Sequence, residues 1–191
     1  MKKENSGQGH RVCPWWVGHL LASRIRKLVH NPRTILEPFV TEGAVCVEPG
    51  PGMGFFTLDM ARLAGPGGRV AAVDIQPVML AALAKRAARA GVGERVETRL
   101  ASGPGLGIPD LAGQVDFALV FYVAHEMPDQ AVLFQELFDA LKPGGKVLLA
   151  EPSHHVEEAA FARTLEIARA VGFTEKSSPK IRMSVTAVLE K

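Results

Sequence analysis

The sequence predicts an α/β fold in which helices cover both faces of a mainly parallel sheet. Short apolar runs alternate with amphipathic segments along the 191 residues, as repeated strand-then-helix units do. Gly65 and Gly91 follow two of the amphipathic segments, where helices commonly end in a left-handed residue. Crossovers between parallel strands place helices on both faces, so we expect a doubly wound sheet around one large core.

The amino-terminal residues 1–40 are expected to form a tail and a lid helix rather than part of the sheet. The first ten residues are polar, and residues 14–30 carry two tryptophans and then a basic amphipathic pattern typical of a helix. Pro32 and Pro38 favour an extended path between this helix and the first strand. Residues 41–191 then supply the sheet and its covering helices.

The strands of this domain are apolar or β-branched runs bounded by turn residues. A turn at Glu42 and Gly43 introduces the first strand, while Pro77 and Asp129 begin two helices as a first-turn proline and an N-cap. The near-continuous apolar run VDFALVFYV predicts a strand buried on both faces. In chain order the predicted strands are AVCVEP, GRVAAVDI, RVETRL, VDFALVFYV, KVLLAEP and IRMSVTAVLEK. The first predicted helix of this domain starts near Phe55, and the others are PVMLAALAKRAARA, DQAVLFQELFDAL and VEEAAFARTLEIARAVG.

Composition and charge favour an ordinary cytoplasmic protein. Hydrophobic residues make up 47% and charged residues 22% of the chain, which is usual for a soluble domain. The net charge of +2 gives no strong basic face for nucleic acid. The stretch VCPWWVGHLL is too short to span a bilayer and lacks the layout of a signal peptide. We therefore expect no membrane partner, and the oligomeric state stays open, with a homodimer as one alternative.

A glycine-rich stretch, VCVEPGPGMGFF, follows the first predicted strand. Ligands of open α/β sheets bind beyond the carboxyl ends of the strands, so Gly50, Gly52 and Gly54 predict a loop that lets a ligand approach the backbone. A dinucleotide fingerprint needs a third glycine where Phe55 stands, and no lysine follows as in a phosphate loop. Glu48 would repel a diphosphate and suits a cationic ligand with an amino group and a sulfonium.

The stretch VCVEPGPGMG resembles motif I of the class I S-adenosylmethionine-dependent methyltransferases, in which an acid precedes G-x-G-x-G. Asp74, 20 residues beyond Gly54 at the end of the second strand, matches the acid that binds the ribose in that family. VDFALVFYVAHEMPD resembles the motif IV region, and LKPGGKVLLAEP resembles the turn and strand that follow. The resemblance covers residues 30–191 and implies a Rossmann-like sheet of seven strands, in the order 3-2-1-4-5-7-6, with strand 7 antiparallel.

The resemblance implies S-adenosylmethionine as the cofactor and assigns residues to it. Glu48 and the three glycines would form the loop beside the cofactor, with Asp74 on the ribose hydroxyls and Ile75 beside the adenine. Ser102 is the best candidate near the adenine amino group, because the stretch LASGPGLG has no acid or amide there. Phe121, at the end of the fourth strand, completes this set.

Candidate acceptor-binding residues follow the fourth and fifth strands or precede the first. His125 follows the fourth strand, where it is a candidate base or simply caps a loop. Tyr122 and His154 would line the pocket, with an exposed loop position as the alternative for His154. Trp15 or Trp16 would close the pocket if the amino-terminal helix folds back over the sheet, although both could equally pack that helix onto it. A closed pocket suits a small, partly apolar acceptor.

The predicted function is S-adenosylmethionine-dependent methyl transfer to such an acceptor by direct displacement at the sulfonium. The core most resembles the group that includes the quinone-biosynthesis and arsenite methyltransferases. The alternatives are a nucleic-acid or protein methyltransferase, a nicotinamide-dependent oxidoreductase, and a non-catalytic S-adenosylmethionine-binding module. No metal is expected, because His154 and His155 match no recognised ligand spacing with His10 or Cys13.

Overall fold

The computed structural model describes residues 29–101 and 103–191, and its centre is a mixed sheet. Its strands are Val45–Pro49 (β1), Arg69–Asp74 (β2), Val96–Leu100 (β3), Val115–Phe121 (β4), Leu141–Pro152 (β5), Thr174–Ser177 (β6) and Ser184–Glu190 (β7). Their order in the sheet is β3-β2-β1-β4-β5-β7-β6. The last strand, β7, pairs antiparallel with β5 and β6, and the other pairs are parallel. This confirms the predicted order and the antiparallel strand.

The helices begin and end at residues that suit those positions. Asp129 caps its helix, since its Oδ1 accepts the backbone N–H groups of Ala131 and Val132 at 2.9 and 3.1 Å. Pro77 occupies the first turn of another helix, where its missing N–H costs no hydrogen bond. The helices are Pro32–Leu36 (α1), Thr57–Leu63 (α2), Pro77–Arg89 (α3), Gln130–Ala140 (α4) and Glu158–Val171 (α5).

Two apolar clusters cover the two faces of the sheet, because side chains alternate between the faces along each strand. Val47 and Val120 belong to one cluster, together with Phe134 of α4 and the buried apolar residues of α5. Cys46 and Phe117 belong to the other cluster, together with buried residues of α1, α2 and α3. Helices therefore lie on both faces, as the doubly wound prediction required.

The strand registers bring one set of strand ends to a single border, here called the carboxyl edge. Pro49 and Asp74 end β1 and β2, and Phe121 and Pro152 end β4 and β5. Because β7 runs antiparallel, its first residue, Ser184, pairs with Pro152 and joins the same border. The segments that follow or precede these residues are thus neighbours in space although they are distant in sequence.

The predicted extended path through residues 31–42 is wrong, because these residues contain the short helix α1. Pro32 occupies the first turn, and Asn31 precedes it as the cap by accepting the N–H of Arg33 at 3.2 Å. Proline disfavours the helical conformation in the residue before it, but not in the proline itself. A helix can therefore begin at the proline. Leu36 is fully buried in the cluster beneath α2, so this segment is part of the core.

Candidate active site at the carboxyl edge

The glycine loop after β1 has three left-handed residues with different surroundings. Gly50, Gly52 and Gly54 have φ values of 61°, 53° and 82°. A Cβ on Gly50 would lie 2.7 Å from Val123 Cγ2, and one on Gly54 would lie 2.3 Å from Leu83 Cδ1. A Cβ on Gly52 would meet no atom of the described residues within 4 Å. The chain's own packing thus explains two of these glycines, while Gly52 leaves space that a ligand can fill.

The carboxylate of Asp74 lies beside Gly52 at the end of β2. Its Oδ1 accepts the N–H of Gln76 at 2.9 Å. Burial raises the pKa of Asp74, and the nearby backbone N–H groups of Gln76, Gly52 and Ile75 oppose the increase. Ile75 is 54% exposed, so a hydrogen-bond acceptor, the Asp74 carboxylate, adjoins an exposed apolar side chain here.

Glu48 and Arg86 hold the glycine loop against the helices. Glu48 is buried at 4% exposure and accepts a hydrogen bond of 2.5 Å from the Thr57 hydroxyl at the start of α2. The Arg86 guanidinium on α3 donates to the carbonyl oxygen of Met53. Burial lowers the pKa of Arg86. Both polar contacts are internal to the protein and fix the loop on its two sides.

Aromatic rings form a wall behind the loop. Phe121 is buried, and its ring centroid lies 4.4 Å from that of Phe56 and 4.5 Å from that of Tyr122. Tyr122 adopts φ +62°, which is rare for a bulky residue, and its hydroxyl lies 2.8 Å from Ser184 Oγ and donates to the Met183 carbonyl at 3.1 Å. The hydroxyl is thus engaged with the start of β7, so a contact of Tyr122 with an acceptor would use the ring.

His30 joins this wall from the amino-terminal side. Its Nε2–H donates to the carbonyl of Arg182 at 2.8 Å, and its ring packs edge-on against Phe121 at 5.3 Å between centroids. His30, near the beginning of the described residues, therefore lies at the carboxyl edge. The predicted roles of Trp15, Trp16 and Ser102 lie outside the described residues.

The imidazole of His125 lies in the turn after β4 and contacts a buried carboxylate. Its Nδ1–H donates to Glu151 Oε2, and its backbone N–H donates to Glu151 Oε1 at 3.3 Å. Glu151 is 1% exposed. Its hydrogen bond raises the pKa of His125, and burial of the imidazole partly opposes the increase. The structure thus provides an imidazole whose Nδ1 is held by a buried carboxylate.

The two histidines after β5 have different positions. The ring of His155 lies 5.2 Å from the ring of His125 in a T-shaped arrangement. His154 is exposed, and its role in substrate binding stays a prediction. The structure therefore places the ring of His155 beside the candidate base.

Glu151 is the functional candidate that the sequence reasoning missed. A signal was available, because the carboxylate ends the apolar run VLLA at a border where ligands bind. Glu136 of α4 was missed as well: it accepts the backbone N–H groups of Leu106 and Gly107, the second at 3.1 Å. That contact fixes the loop after β3.

Neither a metal-binding cluster nor a membrane-spanning helix is found in the part of the chain that the structure describes. Across residues 29–101 and 103–191, no group of three or more His, Cys, Asp or Glu is placed to hold a metal ion. None of the helices in those ranges is long and apolar enough to cross a membrane.

Comparison with known proteins places this geometry among methyltransferases. Residues 47–149 match the family described as Methyltransferase domain. A demethylmenaquinone methyltransferase of Lactococcus lactis is 31% identical over 54% of this chain and 40% of its own length. A ubiquinone/menaquinone biosynthesis C-methyltransferase UbiE of Pasteurella multocida is 30% identical over 59% of this chain and 41% of its own. The chain therefore matches about two fifths of the length of these relatives.

A solved structure supports the fold independently. The crystal structure of a SAM-dependent methyltransferase from Aquifex aeolicus superposes with a TM-score of 0.81 and covers 93% of this chain and all of its own. The sequence identity is 18%, so the likeness concerns the fold. The family match and these relatives imply S-adenosylmethionine as the cofactor. The site fits it: Gly52 leaves open space, Asp74 offers a carboxylate, and Ile75 offers an exposed apolar face.

Proposed function

We propose, from the premise that the chain belongs to the family of methyltransferase domains, that it transfers a methyl group to a small, partly apolar acceptor. The observation that carries the proposal is that Gly52 and Asp74 lie close together at the carboxyl edge, where open space adjoins a carboxylate. Bound there, S-adenosylmethionine supplies a methyl group on a positively charged sulfur. Alignment of the acceptor with that methyl group provides much of the rate acceleration.

The residues that would hold the cofactor divide between polar and apolar contacts. Asp74 would accept hydrogen bonds from the ribose hydroxyls, because a carboxylate offers about four acceptor positions. Ile75 would cover one face of the adenine with its exposed side chain. The backbone at Gly52 would lie against the amino-acid part of the cofactor, which a side chain there would obstruct. Phe121 would support this region from behind through its ring contacts.

His125 would act as the general base for an acceptor that must lose a proton. Its Nδ1–H is bound to Glu151, which leaves Nε2 as the basic nitrogen of the neutral ring. The acceptor pocket would include Tyr122 and His154, as the sequence predicts. A small acceptor is supported by the names of the relatives, which act on demethylmenaquinone or belong to quinone biosynthesis.

The decisive experiment combines calorimetry with a turnover assay. S-adenosylhomocysteine should bind in one site, and NADH should not. A panel that starts with reduced demethylmenaquinone should then yield a methylated product. Tight binding of S-adenosylhomocysteine without turnover of small acceptors, proteins or nucleic acids would favour a non-catalytic module. Binding of NADH alone would favour an oxidoreductase and reject the proposal.

A matched pair of glycine variants separates ligand space from internal packing. Both Gly52→Ala and Gly54→Ala place alanine at positive φ, which costs roughly 1 to 2 kcal/mol. Gly54→Ala also drives a methyl group into Leu83 in the core, which adds about 1 to 3 kcal/mol of destabilisation. We expect urea unfolding to show the larger loss for Gly54→Ala.

The cofactor affinity of the same pair completes the test. We expect Gly52→Ala to bind S-adenosylhomocysteine more weakly than the wild type, because its methyl group enters the open space of the loop. Calorimetry measures this directly. Full affinity in Gly52→Ala would show that the cofactor does not approach this position.

Trp15 and Trp16 allow a direct test of the proposed lid. They are the only two tryptophans in the sequence, so tryptophan fluorescence reports on this segment alone. We expect S-adenosylhomocysteine to shift the emission to shorter wavelength, since His30 anchors the adjoining chain at the carboxyl edge. The Asp74→Ala variant, at the same ligand concentration, serves as the control with impaired binding. An unchanged spectrum in the saturated wild type would contradict the lid.

A further inference from the structure

We propose that Glu151 is the positioning residue for His125, and that the acceptor is one that loses a proton when it is methylated. The inference rests on the proposed function and assigns it a substrate class. Its starting point is a buried carboxylate at the carboxyl edge that neither the strand pairing nor the cofactor contacts require.

Glu151 contacts His125 through both of its oxygens. Oε2 accepts from the ring Nδ1–H, and Oε1 accepts from the backbone N–H of the same residue at 3.3 Å. An ionised carboxylate has no proton to donate, so this pairing fixes the tautomer as well as the ring direction. Glu151 itself is held in the sheet, where it pairs with Val185 of β7 and is 1% exposed. The contact is therefore rigid on the side of the carboxylate.

A second chain of hydrogen bonds holds the turn of His125 from the helical side. The Gln130 amide on α4 donates to the carbonyl of Ala124 at 3.0 Å. The hydroxyl of Thr164 on α5, which is 5% exposed, donates to the amide oxygen of Gln130 at 3.0 Å. Polar side chains from β5, α4 and α5 thus form a connected set of hydrogen bonds that holds one turn. This arrangement exceeds what a simple loop cap needs.

The charged groups around His125 are mostly acidic. Glu151 faces it from β5, Glu126 lies next to it in the turn, and His155 approaches from the loop after β5. Asp74 adds negative charge near Glu126 from the end of β2. Acidic neighbours favour the imidazolium that forms when His125 takes a proton. The same neighbours disfavour an acceptor that arrives as an anion.

These contacts define the acceptor through the proton balance of the transfer. A tertiary amine or a thioether accepts a methyl group with a lone pair and needs no base. An acceptor with an ionisable proton, such as a phenol or an enol, gives that proton to Nε2 of His125, and its deprotonated oxygen or conjugated carbon forms the bond to the methyl carbon. The electron pair of the broken carbon–sulfur bond stays on sulfur. A base held in place by Glu151 serves only the second kind of acceptor.

The first test measures His125 by NMR in the whole protein without any acceptor. In the wild type we expect the neutral ring to carry its proton on Nδ1. Its pKa should be lower in Glu151→Gln, because the charge that stabilises the imidazolium is gone. Glu166→Gln, an exposed change on α5, is the matched control and should titrate like the wild type. A folded Glu151→Gln protein with an unchanged His125 pKa overturns the positioning role. Because the tautomer is read in the wild type, a proton on Nε2 overturns it even if that variant does not fold.

The second test measures turnover. With a naphthohydroquinone as probe, we expect kcat in Glu151→Gln to fall about tenfold or more, with its rise on the pH axis displaced to lower pH. The affinity for S-adenosylhomocysteine should stay as in the wild type. Methylation of a tertiary amine or a thioether as fast as of the hydroquinone overturns the substrate class. Failure of the wild type to bind S-adenosylhomocysteine would instead contradict the proposed function.

Discussion

Replacing Asp74 with alanine is expected to weaken binding of S-adenosylhomocysteine at least tenfold. A hydrogen bond to a charged group contributes about 1.5 to 3 kcal/mol, and the ribose hydroxyls offer two such bonds to this carboxylate. Titration calorimetry of the wild type and the variant provides the measurement. Unchanged affinity would remove Asp74 from the cofactor site, and the ribose would have to bind elsewhere along the edge.

Asp74 also supports the local backbone, so the variant needs matched controls. Its Oδ1 accepts the N–H of Gln76, and alanine would remove that contact together with the ribose contact. Asp74→Asn keeps an acceptor oxygen and loses the charge, so its affinity should lie between the other two proteins. Asp139→Asn makes the same chemical change at an exposed position of α4 and should bind like the wild type. Urea unfolding shows whether the loss of affinity reflects lost stability instead.

Replacing His125 with glutamine is expected to lower kcat by about 10²- to 10⁴-fold, the usual contribution of a general base. The affinity for S-adenosylhomocysteine should not change, because the ring contacts Glu151 and His155 rather than Gly52 or Asp74. Glutamine keeps a polar group that can contact Glu151, which limits the disturbance in the buried site. Single-turnover measurements with the acceptor identified from the panel separate the chemical step from product release.

The pH dependence of kcat provides a second test of His125 as the base. The raised pKa of His125 means that the protonated ring persists above its ordinary range, so wild-type kcat should increase with pH through that raised pKa. The increase should be absent in His125→Gln. The contact with Glu151 also stabilises the folded protein most below the ordinary histidine pKa, and this stabilisation is lost as pH rises through the raised value. A variant with wild-type kcat at every pH would reject His125 as the base.

The sequence determined most strands of the sheet and the glycine loop proposed for the cofactor, because these depend on local patterns. Apolar runs and turn residues located the parallel strands, and the first-turn proline Pro77 and the N-cap Asp129 located two helices. The resemblance supplied the order with strand 7 antiparallel. The residue pattern itself did not show β6, since Thr174–Ser177 is short, polar and mostly exposed at the edge of the sheet. Its pairing with β7 identifies it as a strand.

Only the tertiary structure decided which side chains meet in the proposed acceptor half, because those contacts join the ends of different strands. Glu151 and His125 are 26 residues apart, and they meet because β4 and β5 are parallel neighbours that end at the same border. The glycines show the same limit. The sequence predicted the loop, but only packing against Val123 and Leu83 distinguished Gly50 and Gly54 from Gly52. Spacing along a chain fixes local conformation, whereas the partner of a side chain depends on which strands lie side by side.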